Sequence, residues 1–386
     1  MTKESPPARP GYAPALRRCI TVGGLLMTVG CAELPRLPAH VPMAQRMTTF
    51  REQAERVLAR EVDPQGAGLA IVVRSDGQVV YEGHAGMADI VAVRAIDGHT
   101  AFELASLSKP ITAMAVLTLV DRGIVSLGDP VRRWIPELPV AWPTITIHDL
   151  LSQQSGLPDF MIGMHAAELA ALDELTNAGV IERLRQSPGL LFAPESQSRY
   201  SNTNYVLLAE VVTRAARRPF ADYVATDLFA PAGLVSSFVD GGARPADTTL
   251  ALDFGRTHTT NGIHLRTVGP TGVYSSADDL SRLLQALIDG RILTPATLEK
   301  MISPESSGAV FDDGERYGYG WALPPAGQPV TVFAHLGAKD GFRTIAFVDT
   351  RHRLDYVILC NGGDAGVTVM NHLRALFERL LQPAPS

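Results

Sequence analysis

The stretch Phe102-Glu-Leu-Ala-Ser-Leu-Ser-Lys-Pro-Ile-Thr-Ala sets Ser106 three residues ahead of Lys109, at the entrance to an apolar run. On a helix that spacing puts both side chains on one face, with Ser108 directed elsewhere. A serine hydroxyl is hardly ionised at neutral pH, so as a nucleophile it needs a neighbouring base. Lysine can be that base when burial or nearby cations bring its pKa toward neutrality, and Leu104, Leu107 and Ile111 supply an apolar setting. The chain holds only four lysines, Lys3, Lys109, Lys300 and Lys339, so one beside a nucleophile is informative. Ser-x-x-Lys still arises by chance about 0.2 times in a chain of this composition. A helix start capped by Ser106 or Ser108, with Lys109 exposed, is the competing reading.

Two further groups follow in order. Tyr200-Ser201-Asn202 lies in a polar stretch just before a helical run beginning near Tyr205. A phenolate-capable tyrosine beside a lysine can relay protons to a leaving group and activate water, and an asparagine amide can orient substrate or lysine. The plainer alternative is a packed loop tyrosine with Asn202 as a helix cap. Then His335-Leu336-Gly337-Ala338 follows an apolar strand, Val330–Ala334. A glycine there lets substrate lie close along the strand edge, and the backbone N–H groups of Ala338 and Ser106 could form an oxyanion hole. His-x-Gly is the weakest of the three signals, since about 0.9 matches are expected by chance, and His84-Ala85-Gly86 is another.

The elements that must position these residues read as an α+β fold. Met47–Val62 has a helical pattern; Gly68–Arg74 and Gln78–Glu82 flank Ser75-Asp76-Gly77, a β-hairpin signal. From Pro110 to about Val239 helical runs dominate, at Ile111–Arg122, Ile147–Leu151, Ala166–Ser187 and Tyr205–Ala216. Strands return at Thr331–Ala334, Phe342–Asp349 and Leu354–Cys360, before an amphipathic helix over Val367–Leu381. A helical lobe, about residues 110–240, inserted between two halves of an antiparallel sheet is the simplest architecture.

Composition narrows the function. With 386 residues, 46% of them hydrophobic, the chain can fill a large core. A formal charge of -6 argues against the basic surface that nucleic-acid binding needs. Cys19, Cys31 and Cys360 make no disulfide framework, and neither HExxH nor CxxC occurs. The nearest histidine pair in the Gly/Thr/Asn-rich loop, His258 and His264, reads as unrelated surface residues, so no metal is expected.

Residues 1–45 read as a targeting segment and tether. Arg17-Arg18 precede an apolar run, Ile20–Val29, that is short for a membrane span, and Pro35, Pro38 and Pro42 suit a linker. The run ends Thr28-Val29-Gly30-Cys31, similar to a bacterial lipoprotein signal in which Cys31 would be lipidated, although Thr28 stands where that signal usually has leucine. An ordinary signal peptide, a twin-arginine signal and an uncleaved apolar tail are the alternatives. Export to the periplasm or cell envelope is expected, with membrane attachment through a lipidated N-terminus.

In this order and at these separations the three groups resemble the serine β-lactamase and penicillin-binding-protein superfamily, in its class C-like branch. The resemblance spans about residues 46–380. It is supported by Leu127-Gly-Asp-Pro-Val-Arg-Arg-Trp-Ile-Pro-Glu, Leu150-Leu-Ser-Gln-Gln-Ser-Gly-Leu-Pro, Tyr200-Ser-Asn-Thr-Asn-Tyr and Gly272-Val-Tyr-Ser-Ser-Ala-Asp-Asp-Leu. It implies an acyl-enzyme on Ser106, Lys109 and Tyr200 as proton carriers, Asn202 as a positioning residue, and no metal or organic cofactor. Most β-lactamases of the family carry Lys-Thr-Gly where this chain has His335-Leu336-Gly337. That lysine helps hold the drug's carboxylate, and a histidine is mostly neutral at pH 7. His-x-Gly variants look like family VIII carboxylesterases and D-alanyl-D-alanine carboxypeptidases. Lys339 or Arg343 could replace the missing charge, although a solvated surface role is the plainer reading of each. The expected substrate is an ester or related acyl compound. The alternatives are a wall-peptide carboxypeptidase or weak β-lactamase, an acyltransferase, and a non-catalytic binding protein, against which the intact Ser106, Lys109 and Tyr200 argue.

Overall fold

A computed structural model describes residues 41–161, 175–187, 189–254, 266–303, 309–310, 316–324 and 330–380. The chain opens with helix α1 (Met43–Glu61), which starts ahead of the expected boundary at residue 46. It continues through strands β1 (Leu69–Ser75), β2 (Gln78–Ala85), β3 (Met87–Asp89), β4 (Arg94–Ala95) and β5 (Thr100–Glu103). The helical part comprises α2 (Ser108–Asp121), α3 (Ile147–Leu151), α4 (Asn177–Arg185), α5 (Asn202–Ala216) and α6 (Phe220–Val224). The part of the expected Ala166–Ser187 helix before Leu175 lies outside the described residues. Short strands β6 (Phe238–Val239), β7 (Thr249–Leu250) and β8 (Val273–Ser275) lead to α7 (Ala277–Ile288) and α8 (Pro295–Met301). The chain then runs through β9 (Ala309–Val310), β10 (Arg316–Tyr317), β11 (Ala322–Leu323), β12 (Val332–Lys339), β13 (Phe342–Asp349) and β14 (Leu354–Cys360) to α9 (Gly363–Leu380).

Eight strands form one sheet in the order β2-β1-β14-β13-β12-β11-β10-β9, every neighbouring pair antiparallel. The first hairpin and the last three strands thus join through β1 and β14, although they are far apart in sequence. Strand alternation builds two cores. Leu69, Ile71, Val73, Phe347, Tyr356 and Ile358 face α1 and α9, whereas Ala70, Val72, Val348, Val357 and Leu359 face the helical side. A second sheet, β6-β8-β5-β7, delivers the chain to the segment containing Ser106. Helix α2 is apolar on nearly every side and is buried from Ser108 to Leu119, which makes it the central helix of the lobe.

The expected strand ending at Ala334 is corrected: β12 continues to Lys339, so His335-Leu336-Gly337-Ala338 is part of the strand and does not follow it. Pairing with β13 persists residue by residue up to Lys339 opposite Phe342, around a two-residue Asp340-Gly341 turn.

Where α7 packs on the sheet, Asp355 on β14 is fully buried. Its oxygens accept from Ser281 Oγ and Gln285 Nε2, each at 2.5 Å. Burial pushes its carboxyl up to about 7, so the folded protein holds this proton more tightly than the unfolded chain. The sign follows: stability from this group is full below the ordinary carboxylate range and is lost as pH rises toward 7. Asp355→Asn should therefore flatten the fall in denaturant-unfolding stability between about pH 4 and 7, by up to a few kcal/mol. Parallel wild-type and variant curves would exclude Asp355 as its source.

Candidate active site

Ser106 occupies a single 3-10 turn, Ala105–Leu107, between β5 and α2. Ala105 is held in the left-handed region at φ +50, which costs a residue with a Cβ about 1–2 kcal/mol. The surroundings enforce it. Leu104 N–H donates to Val273 O at 2.9 Å, and Thr344 Oγ1 donates to Leu104 O at 2.8 Å. The Ser108 hydroxyl, directed away from Lys109, accepts from Val273 N at 3.2 Å. Backbone strain beside a nucleophile is a recurrent feature of active sites.

Gly337 has a reason different from the one its sequence suggested. A Cβ there would lie 2.3 Å from Leu104 O and 2.2 Å from Thr344 Oγ1. The glycine lets β12 press against the turn carrying Ser106, a demand made by the protein's own backbone. Since Lys339 and Phe342 close a two-residue hairpin, ladder alternation turns the Ala338 N–H away from β13, toward the edge facing that turn.

Lys109 is fully buried, with Nζ 2.9 Å from Ser106 Oγ and 3.2 Å from Pro270 O, to which it donates. Burial brings its pKa down to about 7, against the attraction of Asp159 and Glu103. Gly269 holds the Pro270 carbonyl in place: its φ of +114 and its approach to Tyr205 O, 2.2 Å from where a Cβ would be, admit no side chain.

The Tyr200 ring lies 4.7 Å from Lys109 Nζ. Its hydroxyl is buried within electrostatic reach of Ser106, yet has no partner at good hydrogen-bond geometry. The expectation of a phenolate-capable Tyr200 is corrected. Burial, reinforced by Tyr317, holds its pKa well above 10, because removal from solvent penalises the phenolate more than the phenol. The phenol is therefore neutral at rest.

His335 is buried too, and its ring turns inward. Nδ1 is 2.7 Å from Leu336 O, which can only accept, so Nδ1 carries the proton and Nε2 accepts from Tyr317 Oη at 3.1 Å. Burial, then the charge of Lys109, lowers its pKa to about 3. The histidine is neutral throughout the physiological range. Neither substitute cation is open: Lys339 Nζ lies 3.7 Å from Glu103, and Arg343 is paired with Asp364 at 2.7 Å.

Asn202 is the first residue of α5. Its backbone N–H and its Nδ2 each donate to Asp159 Oδ2 at 2.9 Å, while Asp159 Oδ1 accepts from Met161 N at 2.8 Å. The amide therefore orients a carboxylate that acts electrostatically on both Lys109 and Tyr200.

Four side chains went unnoticed in sequence. Gln153, at φ +64, accepts from Ser201 N at 2.9 Å and Asn204 Nδ2 at 2.5 Å, anchoring the Tyr200 segment. Tyr317 links His335 to Tyr200, whose rings meet it edge-on. Asp159 and Glu103 set the field around Lys109. The Ser-Gln-Gln-Ser-Gly stretch and the run Tyr317-Gly-Tyr-Gly-Trp were the available signals. Cys31, His258 and His264 lie outside the described residues.

The β-lactamase family model matches residues 49–379, and the chain belongs to that family of serine hydrolases. It is 32% identical over 368 residues to esterase EstB of Burkholderia gladioli, covering 84% of this chain and 92% of the esterase. It is 30% identical over 309 residues to penicillin-binding protein 4* of Bacillus subtilis, covering 74% of this chain and 67% of that protein. In fold it is similar to a penicillin binding protein from Bacillus halodurans, with a TM-score of 0.69 and 23% identity, over 86% of this chain and all of that one.

The tight contact at position 337 gives a direct test. Gly337→Ala should push β12 off the Ser106 turn, lowering turnover of a test ester by about tenfold or more and reducing Tm. Unchanged turnover and melting would mean that the contact does not matter.

Proposed function

We propose that this chain is an esterase acting through an acyl-enzyme on Ser106. The observation that carries this reading is the buried Lys109 amine, 2.9 Å from the Ser106 hydroxyl with its pKa brought to about 7. In its neutral form Lys109 takes the hydroxyl proton as Ser106 Oγ attacks the ester carbon. The backbone N–H groups of Ser106 and Ala338 stabilise the oxygen that becomes negative. The C–O bond to the alcohol breaks, and the alcohol leaves with a proton relayed from Lys109 through the neutral Tyr200 phenol. Water then attacks the acyl carbon, giving its proton to Lys109 along the same path; the Ser106 Oγ–C bond breaks, Oγ takes that proton back from Lys109, and the acid is released.

The charges near the cleft favour a substrate without a carboxylate next to the reacting carbonyl. His335 is neutral, Lys339 and Arg343 are already paired, and Asp159 contributes a fixed negative charge. This weighs against lactams and wall peptides, which present a carboxylate there. The same Asp159 charge favours a second reading, hydrolysis of an amide whose acyl part bears an ammonium group. We also propose export, with lipidation of Cys31, on the strength of Arg17-Arg18 and the apolar run before Cys31. Radioactive palmitate should label the wild type and not Cys31→Ala; an unlabelled soluble product would reject the anchor.

With p-nitrophenyl butyrate as substrate, Ser106→Ala should reduce kcat by about 1000-fold or more, and undiminished turnover would reject the mechanism. Because the reactive form of Lys109 is unprotonated, kcat/KM should rise with pH about a midpoint near 7. A panel of short esters, amino-acid amides, nitrocefin and D-Ala-D-Ala peptides separates the substrate classes. Fastest turnover of the carboxylate-bearing members would overturn the esterase assignment.

A further inference from the structure

Away from Ser106, helix α3 and the loop before Tyr200 bring three potential ligands together. One ligating atom from each of His148, Asp149 and Glu195 lies within 4.8 Å of the other two. Acidic clusters alone mean little, but Asp149 adds an independent observation. It is 1% exposed, and its Oδ2 already accepts from Thr146 N at 2.7 Å and Thr146 Oγ1 at 2.8 Å, capping α3. Its Oδ1 is buried with no hydrogen-bond partner. A desolvated, unpartnered carboxylate oxygen is costly, and such an atom commonly marks a place for an ion or ordered water. Among the described residues neither Asp149 nor Glu195 is shown ion-paired with a lysine or arginine, so the two carboxylates approach each other with His148 as their nearest basic group.

The histidine ring is held through one of its nitrogens. His148 Nδ1 meets Tyr319 Oη at 2.7 Å, and the rings pack edge-on with centroids 5.7 Å apart. A hydrogen bond of this kind to one ring nitrogen fixes the orientation of the imidazole. Glu195 adopts φ +64, unusual for a residue with a side chain.

We propose that His148, Asp149 and Glu195 bind a divalent transition-metal ion of the zinc type, cross-linking α3 to the loop that leads into Tyr200. One imidazole and two carboxylates are a donor set suited to zinc, with a fourth position left for water, and the nitrogen ligand disfavours calcium and magnesium. The ion would act at a distance from the chemistry. Glu195 N donates to Gln154 O at 3.0 Å, Arg199 N to Gln153 O at 3.0 Å, and Ser201 N to Gln153 Oε1 at 2.9 Å, so the loop and the α3 end form one unit. Holding Glu195 to α3 reinforces that unit.

The test uses the full, tag-free chain, stripped with a chelator and titrated calorimetrically with zinc chloride, with calcium chloride in a parallel arm. About one equivalent of zinc should bind, raising Tm. Glu195→Gln and His148→Ala should each weaken binding about tenfold or more and abolish the Tm rise, while His352→Ala, at a histidine between β13 and β14 whose Nδ1 lies 2.8 Å from Asp349, leaves both intact. Glu195 is exposed, so its variant should fold; its chelator-treated Tm, compared with that of the wild type, checks this. The proposal is overturned by the absence of saturable zinc binding to the wild type, by calcium binding as tightly as zinc, or by unchanged affinity in both ligand variants.

Discussion

The structure turns on keeping one amine dry. Lys109 has a pKa near 7 because it is buried, and every neighbouring feature either maintains that burial or limits its cost. Helix α2 is apolar around its circumference and carries Lys109 in its first turn. The Pro270 carbonyl takes one of the amine's bonds, and the Tyr200 and Tyr205 rings present their faces at 4.7 and 5.9 Å. Cation–π contact of this kind steadies the protonated form without water. A full carboxylate at contact distance would have undone the effect; Asp159 and Glu103 pull the pKa upward, yet burial outweighs them.

The same dryness decides the state of the other groups. Tyr200, Tyr205 and Tyr317 all have phenols raised by burial, and His335 is driven the opposite way, so the pocket rests with neutral rings around a lysine near its midpoint. Low local polarity strengthens each electrostatic contact, which suits a reaction whose transition state develops one negative oxygen. Among the described residues, charge flanks these rings at the margins: Asp159 is oriented by Asn202, and Lys339 faces Glu103. The polarity of the acceptable substrate follows from those margins.

Much of this was legible in the chain. The Ser106–Lys109 spacing, the short apolar runs of β1, β13 and β14 bounded by turn residues and the apolar α2 are local patterns that sequence displays directly. The antiparallel sheet with intervening helices followed from them. Less visible was the extension of β12 through His335–Lys339, because a glycine inside a strand weakens the local signal and the Leu104 contact that requires Gly337 joins segments far apart in sequence. The small strands β6, β7 and β8 were too short to give any period.

By itself, then, the sequence determined which chemistry was available: a hydroxyl and an amine three residues apart at the head of an apolar helix, with a tyrosine and a histidine-glycine segment to follow. Only the tertiary structure decided the protonation of those groups and the purpose of their neighbours. A pKa depends on how much water is removed and which charges remain, and contacts distant in sequence set both. The pairing of His335 with Tyr317, the use of Asn202 to hold Asp159, and the convergence of Glu195 on His148 and Asp149 all arise from packing across segments that no spacing rule connects.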